Sequence, residues 1–378
     1  MISITIDIRK IFDSGIGTYI QNILPIIIFN KPDFIFNLLC YANEVSHLKL
    51  INAVNVNIIN CSSKQYSIKE QFELPFKIPR NTTVFWAPHF NVPLFPIKAK
   101  KKIVTIHDVF HLAFYEKLKF AQKIYSKLVI NYAVKNYDSV ITVSEFSKKE
   151  IIKHTRINES KIKVIHNGID FDRYNREIFD LKDSSLILPE KYILFVGNVK
   201  PHKNIGGLVT AFKKLNSEIL NNYKLLIVGQ NDGFIIGDKS IHDEAKNDNF
   251  INDKILFTGQ VSAEELVKLY KNADLLVFPS FYEGFGLPPL EAMAAGCPVL
   301  CSNAASLPEV CGEAAIYCNP YDHNDIAEKI MNILTKSDIR KRLIEKGKIR
   351  AMYFKWNDCA LKHIKVLESL SLEILPSY

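Results

Sequence analysis

No stretch of the 378 residues reaches the ~18 consecutive apolar residues that spanning a bilayer requires. The run Ile23 to Phe29 is too short and contains Pro25. No signal peptide is expected either: Met1 to Asp7 has no positive n-region and reads as a strand. Seven cysteines, an odd number in a long chain, include no C-x-x-C knuckle. A cytoplasmic, reducing location with free thiols is therefore expected. Cys297, Cys301, Cys311 and Cys318 cluster in sequence, so zinc has to be weighed. Cys297 and Cys301 flank the apolar Pro298-Val299-Leu300, and small core residues are the expected reading. There is no helix-turn-helix, zinc finger or aromatic-basic strand pattern, so no nucleic acid is expected as a partner. No solenoid repeat and no low-complexity tract is visible.

What is present is an ordinary globular composition, 48% hydrophobic and 23% charged, enough chain for about two domains. The net charge of +8 fits an anionic partner or simply a lysine-rich surface. Short apolar strands alternate with helical patterns, the signature of βαβ units and parallel sheets. In the first half, strands are expected at Ile2–Asp7, Asn37–Tyr41, Val56–Asn60, Thr83–Trp86, Lys102–His107, Ser139–Val143 and Lys163–His166. The pattern starts afresh at Tyr192–Gly197 and continues through Lys224–Val228, Lys254–Thr258, Asp274–Phe278, Pro298–Ser302 and Ala315–Tyr317. Helical patterns cover Thr18–Phe29, Lys117–Asn136 and Ser147–His154, then begin near Asn204, Ser262, Pro289, Asn324, Ile339 and Asn357. The polar segment Asn167 to Glu190, with Asn167-Gly168 and Ser184-Ser185, reads as a linker between two doubly wound α/β domains.

Ligands of such sheets bind outside the carboxyl ends of the strands, and four stretches stand there. Asp13-Ser14-Gly15-Ile16-Gly17-Thr18 reads as a glycine turn before a helix; it lacks the third glycine of a dinucleotide fingerprint. His107 and Asp108 end an apolar strand; with His111 they suggest either a metal site or a histidine satisfied by hydrogen bonds. Gly197 to Asn204 brings Lys200, His202 and Lys203 to a helix start, an arrangement suited to a diphosphate. Most informative is Glu283-Gly284-Phe285-Gly286-Leu287-Pro288-Pro289-Leu290-Glu291, which links a strand to a helix. Two carboxylates suggest a glycosidase pair. Glu291 in a first helical turn also suits the helix dipole. Acids that accept sugar hydroxyls, joined by a turn whose N–H groups meet phosphate, describe a sugar nucleotide more closely.

The last stretch resembles the signature of the retaining GT-B glycosyltransferases of family GT4. So do Gly15-Ile16-Gly17, His107-Asp108, Val143-Ser144-x2-Ser147, Asn167-Gly168-Ile169-Asp170, Gly197-x3-Pro201-His202-Lys203-Asn204, Phe257-x-Gly259 and Leu307-Pro308-Glu309-Val310, all in family order. The resemblance covers essentially the whole chain. It implies an α/β GT-B fold, two Rossmann-like domains facing across a cleft. Residues 1–186 plus 362–378 would form the acceptor-side domain, and 187–361 the nucleotide-sugar domain. The last helix, Asn357 to Leu370, would cross back to the first domain.

The resemblance also implies roles. Gly15 and Gly17 belong to a turn in which Gly17 gives its N–H to the donor's β-phosphate. Gly197, Asn198, His202 and Lys203 form the diphosphate loop, with Lys203 binding the charge. Many relatives carry arginine where this chain has Asn198 or His202. Glu283, Gly284, Phe285, Gly286 and Leu287 would meet sugar and phosphate, Glu291 would hold the ribose hydroxyls, and His107 would contact the sugar near the reacting carbon. His107, Lys203 and Glu283 are thus the catalytic candidates. No cofactor and no metal are expected. The implied reaction moves a hexose, best matched by mannose from GDP-mannose, to a glycan or lipid-linked glycan of surface polysaccharide or lipopolysaccharide synthesis. A GT-B epimerase and a non-catalytic nucleotide-sugar binder are the alternatives. Lys117, Lys119, Lys123 and Lys127 around Phe120, Ile124, Tyr125 and Leu128 suggest peripheral contact with anionic membrane on its cytoplasmic face; an ordinary amphipathic surface helix is the plain reading.

Overall fold

A computed structural model describes residues 2–47, 53–117, 119–176, 188–229 and 253–374. The chain divides into two compact units, Met1–Gly168 with Trp356–Tyr378, and Ile169–Lys355. The expected boundary at 186/187 lies outside the described residues, and the first unit already ends at Gly168. The return point lies at 355/356 rather than 361/362. Local pairing explains both shifts. Ile169 forms a parallel bridge with Lys355, and its N–H donates to the Phe354 carbonyl at 2.9 Å. Both passages of the chain are thereby tied into the second unit.

The first unit is built on a parallel sheet of β1 (Ser3–Asp7), β2 (Ile35–Tyr41), β3 (Val56–Cys61), β4 (Thr82–Ala87), β5 (Ala99–Thr105), β6 (Ser139–Thr142) and β7 (Ile162–Val164). Its order is β3-β2-β1-β4-β5-β6-β7, so the winding reverses between β1 and β4. Every residue of β4 is buried, as a strand covered on both faces requires. Leu39, Phe85, Val104 and Val140 from the sheet pack with Leu74, Val129, Ile130 and Ile151 from helices. The final helix, Trp356–Leu372, packs on the first, Ser14–Asn30. Its His363 is buried beside Tyr19 and Trp86.

The second unit holds β8 (Tyr192–Val196), β9 (Lys224–Val228), β10 (Ile255–Gly259), β11 (Leu275–Phe278), β12 (Val299–Ser302) and β13 (Ile316–Cys318). The order β10-β9-β8-β11-β12-β13 is again parallel and doubly wound, reversing between β8 and β11. Gly229, at φ +156°, closes β9 so tightly on the carbonyl of Gly197 that any Cβ there would collide with it. Cys297, Cys301, Cys311 and Cys318 are buried free thiols. Among the described residues no cluster has the makings of a metal site.

Candidate functional site

The crevice at a strand-order reversal is where open α/β sheets receive ligands. In the second unit the loops leaving β8 and β11 meet at that point. The β8 loop runs from Gly197 through the short 3₁₀ turn Pro201–Lys203 to Asn204, which adopts a left-handed conformation at φ 57°. Its buried amide donates to the carbonyls of Pro279 (3.1 Å) and Pro320 (2.7 Å). Gly207, one turn into the next helix, leaves the space that this amide fills. The β11 loop is tied back in turn: the Phe281 N–H donates to the His202 carbonyl at 2.8 Å. Across this seam the Lys203 ammonium lies 2.6 Å from Glu283 Oε1 and 5.3 Å from the centre of the Phe278 ring. Gly197 and Asn198 lie partly buried at the start of the loop, while Lys200 is exposed.

The turn after Glu283 is held from below. The buried Ser306 hydroxyl lies within donating distance of the Glu283 carbonyl (3.0 Å) and the Phe285 carbonyl (2.7 Å). The Ser302 hydroxyl donates to the Ser280 carbonyl at 2.6 Å. Gly284 is partly buried, and the Phe285 ring is buried edge-on to Phe354. Phe285 can therefore offer a ligand only its backbone. Gly286 caps the helix Leu287–Ala295 at φ 110°, where a Cβ would lie 2.7 Å from Leu307 Cδ2. Pro288 and Pro289 carry no N–H, so the helix-start donors narrow to the N–H groups of Gly286 and Leu287.

Glu291 corrects one expectation. The helix begins at Leu287, two residues earlier than expected, so Glu291 stands in its second turn. A first-turn dipole role is excluded. The carboxyl instead takes hydrogen bonds from the phenols of Tyr270 (2.8 Å to Oε2) and Tyr174. Burial raises its pKa and these phenols oppose the rise. Tyr174, Tyr270, Ser306 and Gly207 escaped the sequence reading because no local pattern marks a side chain that acts through a distant partner.

The first unit places Gly15, Gly17 and His107. Gly15 and Gly17 are not in a loop: the helix starts at Ser14, with both glycines in its first turn. The Gly17 N–H donates to the Asp13 carbonyl at 2.5 Å and is not presented to a ligand. Its lack of a side chain serves packing, because a Cβ would lie 2.5 Å from the Ile11 carbonyl oxygen. Gly15 is exposed with open space around it. The first-turn N–H groups of this helix remain suited to an anion, but through Gly15 and its neighbours.

His107 follows β5. Its Nε2 lies 3.0 Å from the Pro88 carbonyl, which can only accept, so Nε2 carries the proton. Burial lowers its pKa, and the ring is neutral near pH 7 with Nδ1 left as an acceptor. Tyr19 packs edge-on at 4.8 Å, and the Ser147 hydroxyl donates to the His107 carbonyl at 3.0 Å. The Asp108 carboxylate accepts from the Phe110 N–H at 2.9 Å, a local turn rather than a metal ligand set.

Residues 178–350 match the family model of the glycosyl transferases group 1, and residues 82–173 that of glycosyltransferase family 4. The chain is 34% identical to the O-antigen chain mannosyltransferase RfbU of Salmonella typhimurium over 254 residues. That match spans 67% of this chain and 65% of the relative's length. Similarity to the O-antigen chain mannosyltransferase B of Escherichia coli is 29% over 290 residues, covering 76% of this chain and 74% of that one. The fold superimposes on the sucrose-phosphate synthase of Thermosynechococcus elongatus with a TM-score of 0.78 at 19% identity, covering 99% and 100% of the two chains.

Proposed function

We propose that this chain, which belongs to the group 1 glycosyl transferases and has their GT-B fold, moves a hexose from a nucleoside diphosphate sugar to a glycan acceptor in surface polysaccharide synthesis. The observation that carries the reading is the pairing of Lys203 with Glu283 beside a helix start at the β8/β11 reversal. A cation and an N-terminal peptide dipole there suit a diphosphate, and a carboxylate suits sugar hydroxyls.

In this reading the donor diphosphate takes over Lys203, and Glu283 is released to the hydroxyls of the moving sugar. Glu291, held by Tyr270 and Tyr174, accepts from the ribose hydroxyls. The bond between the anomeric carbon and the diphosphate breaks, a bond from the acceptor oxygen forms on the same face, and the acceptor proton passes to a phosphate oxygen. Configuration is retained. Each preorganised donor facing the leaving charge contributes roughly 3–4 kcal/mol by analogy with oxyanion holes. The neutral His107 orients a hydroxyl through Nδ1. No metal takes part, so EDTA leaves turnover unchanged.

The relatives' printed activities favour mannose as the sugar, and GDP-mannose is the donor proposed to carry it. A thermal-shift panel of GDP-, UDP- and dTDP-sugars tests this, since a ligand at 100 times its Kd stabilises by about 2.7 kcal/mol. Nucleoside diphosphate released only when acceptor is present supports transfer. Conversion of the donor sugar without acceptor would replace transfer by epimerisation, and donor binding without turnover would leave a binder.

The acceptor in this reading is lipid-linked and met at an anionic bilayer. Phe120, Ile124 and Leu128 stand exposed at four-residue spacing on the helix Phe120–Asn136, alongside Lys119, Lys123 and Lys127. Tyr125, grouped with that face by its sequence position, instead turns inward to bond Asn91; the Lys117 side chain lies outside the described residues. A second stripe of Ile68, Phe72 and Phe76 lies exposed on the helix Ile68–Lys77, with Phe95 against Phe72 and Lys69 and Lys77 on the same helix. The basic face of the helix Phe120–Asn136 suits acidic lipid, and the exposed aromatics of the helix Ile68–Lys77 suit the acyl boundary beneath it. Among the described residues no helix is long and apolar enough to cross a membrane. Cosedimentation with phosphatidylglycerol vesicles but not phosphatidylcholine vesicles, lost on Phe72→Glu with Phe76→Glu, is the expected result. Equal pelleting with both vesicle types removes the proposal.

A further inference from the structure

The turn from Glu283 to Leu287 rests on a support that lies outside its own segment. Ser306, whose hydroxyl reaches the carbonyls of Glu283 and Phe285, occupies the N-cap position of the helix Leu307–Cys311. Leu307, fully buried, lies directly beneath Gly286. Five residues are too few for a helix that stands by itself. What props up the turn must therefore be held in place from elsewhere.

Arg350 holds it from the far end. This residue stands in the last turn of the helix Ser337–Met352. Its Nε donates to the Val310 carbonyl at 2.8 Å, and its Nη2 donates to the Glu309 carbonyl at 2.7 Å. Both carbonyls belong to the closing turn of Leu307–Cys311, where no intrahelical N–H remains for them. The carbonyl before them, of Pro308, is taken by the Gly312 N–H. A planar guanidinium can fork over two neighbouring carbonyls, and an ammonium lacks that geometry. Gly312 ends the helix at φ +54° against the same guanidinium, where a Cβ would lie 3.6 Å from Arg350 Nε.

The same group backs the turn by a second route. Arg350 Cζ lies 4.9 Å from the centre of the Phe354 ring, and that ring meets Phe285 edge-on at 5.7 Å. The Phe354 backbone is fixed as well: its N–H donates to Ala351, and its carbonyl accepts from Ile169. The helix that carries Arg350 is anchored one turn earlier. There Gly347 lies so near Met293, on the helix Leu287–Ala295, that a Cβ would come within 3.2 Å of Met293 Cγ. The turn, the helix that follows it, the helix of Arg350 and the helix Leu307–Cys311 thus close a ring within the second unit. Arg350 links two of its sides.

We infer that Arg350 is a positioning residue for sugar transfer, holding the Glu283–Leu287 turn through Ser306 and Phe354 rather than acting on the donor itself. The inference rests on the transferase reading, in which this turn meets sugar and phosphate through its backbone. Backbone donors have no rotamers with which to correct their aim, so their direction is set by what lies beneath them. A small misplacement then costs more in the transition state, where alignment counts most, than in ground-state binding. Lys203 and Glu291 stand outside the turn and keep their hold on the donor.

The test is steady-state transfer by the full chain, measured well below the Tm of each variant so that lost stability alone cannot lower the rate. Arg350→Met keeps the apolar stem and removes the donors. Its kcat should fall roughly tenfold or more while the donor KM stays within about threefold of wild type. Arg350→Lys keeps the charge over Phe354 but not the fork, and its kcat should lie between the two; if the methionine variant does not fold, the lysine variant carries the comparison. Ser306→Ala should lower kcat by itself. Combined with Arg350→Met it should cost little more than the larger single loss, because both act on one turn. Unchanged kcat in a folded Arg350 variant, a rise in donor KM with kcat intact, or losses that multiply in the double variant would each overturn the inference while leaving the transferase reading in place. A wild type that binds donor but transfers no sugar to any acceptor would take down both.

Discussion

Lys203 and Glu283 stand 80 positions apart in the chain and 2.6 Å apart in space. Without ligand, the cation expected to bind the diphosphate is neutralised by the acid expected to meet the sugar. In the proposed reading the donor exchanges partners within this pair when it binds.

That exchange separates the two residues experimentally. Glu283→Gln should bind nucleoside diphosphate at least as tightly as wild type, because the competing carboxylate is gone, while turnover falls by orders of magnitude. Lys203→Ala should lose about 1.5–3 kcal/mol of diphosphate affinity, roughly tenfold to hundredfold, along with turnover. Calorimetry with the diphosphate beside a transfer assay reads both. A fully active Lys203→Ala enzyme would sink the assignment.

The two glycines of the first helix should respond in opposite ways. Gly15→Ala meets open space on an exposed helical turn and should stabilise by roughly 0.5–1 kcal/mol. Gly17→Ala pushes a methyl group to 2.5 Å from the Ile11 carbonyl oxygen and should lower Tm. Were Gly17 conserving only a phosphate contact, its alanine variant would melt normally.

Gly207→Ala should act through Asn204. The added methyl group evicts an amide that donates to Pro279 and Pro320, two bonds worth about 0.5–1.5 kcal/mol each. A Tm drop of roughly 4–8 °C follows for a unit of this size. Donor affinity should fall with it, since Asn204 ties the β8 loop to the β11 loop. Unchanged Tm and affinity would dismiss Asn204 as the clasp.

Acid should destabilise the first unit through its buried histidines. Burial lowers the pKa of His363 from 6.5 to about 4, and those of His89 and His107 also fall. The unfolded chain then binds more protons than the folded one, so stability rises with pH across this window. The His363 contribution, about 3 kcal/mol, is complete above pH 6.5 and is lost as pH falls toward 4. His363→Gln cannot titrate, and its melting curve should flatten over that range. An unchanged slope would show that His363 carries no such linkage.

Each described strand overlaps an expected one; covered strands such as β4 and β8 read as apolar runs, whereas β3 and β7 at the sheet edges and the lysines opening β5 carry polar, partly exposed residues. Helices were less visible. Ile68–Lys77 shows Ile68, Phe72 and Phe76 to solvent, sends Leu74 to the core and contains Pro75, so its pattern gives no clean apolar face. Phe171–Asn175, Ser217–Asn222 and Leu307–Cys311 are too short to show a period. Positions at strand ends marked Lys203, Glu283 and His107 as candidates, but not which atoms they would use.

The alternation of elements, the two-unit division and the residues standing at the carboxyl ends of the strands are all written in the amino-acid order. Those follow from local periodicity, which each segment carries alone. That Gly17 gives its N–H to Asp13, that Glu291 leans on Tyr270 and that Lys203 faces Glu283 emerges in the folded chain alone. These pairings arise where sheet order brings distant loops together, and sheet order is a property of the whole chain's packing rather than of any one segment.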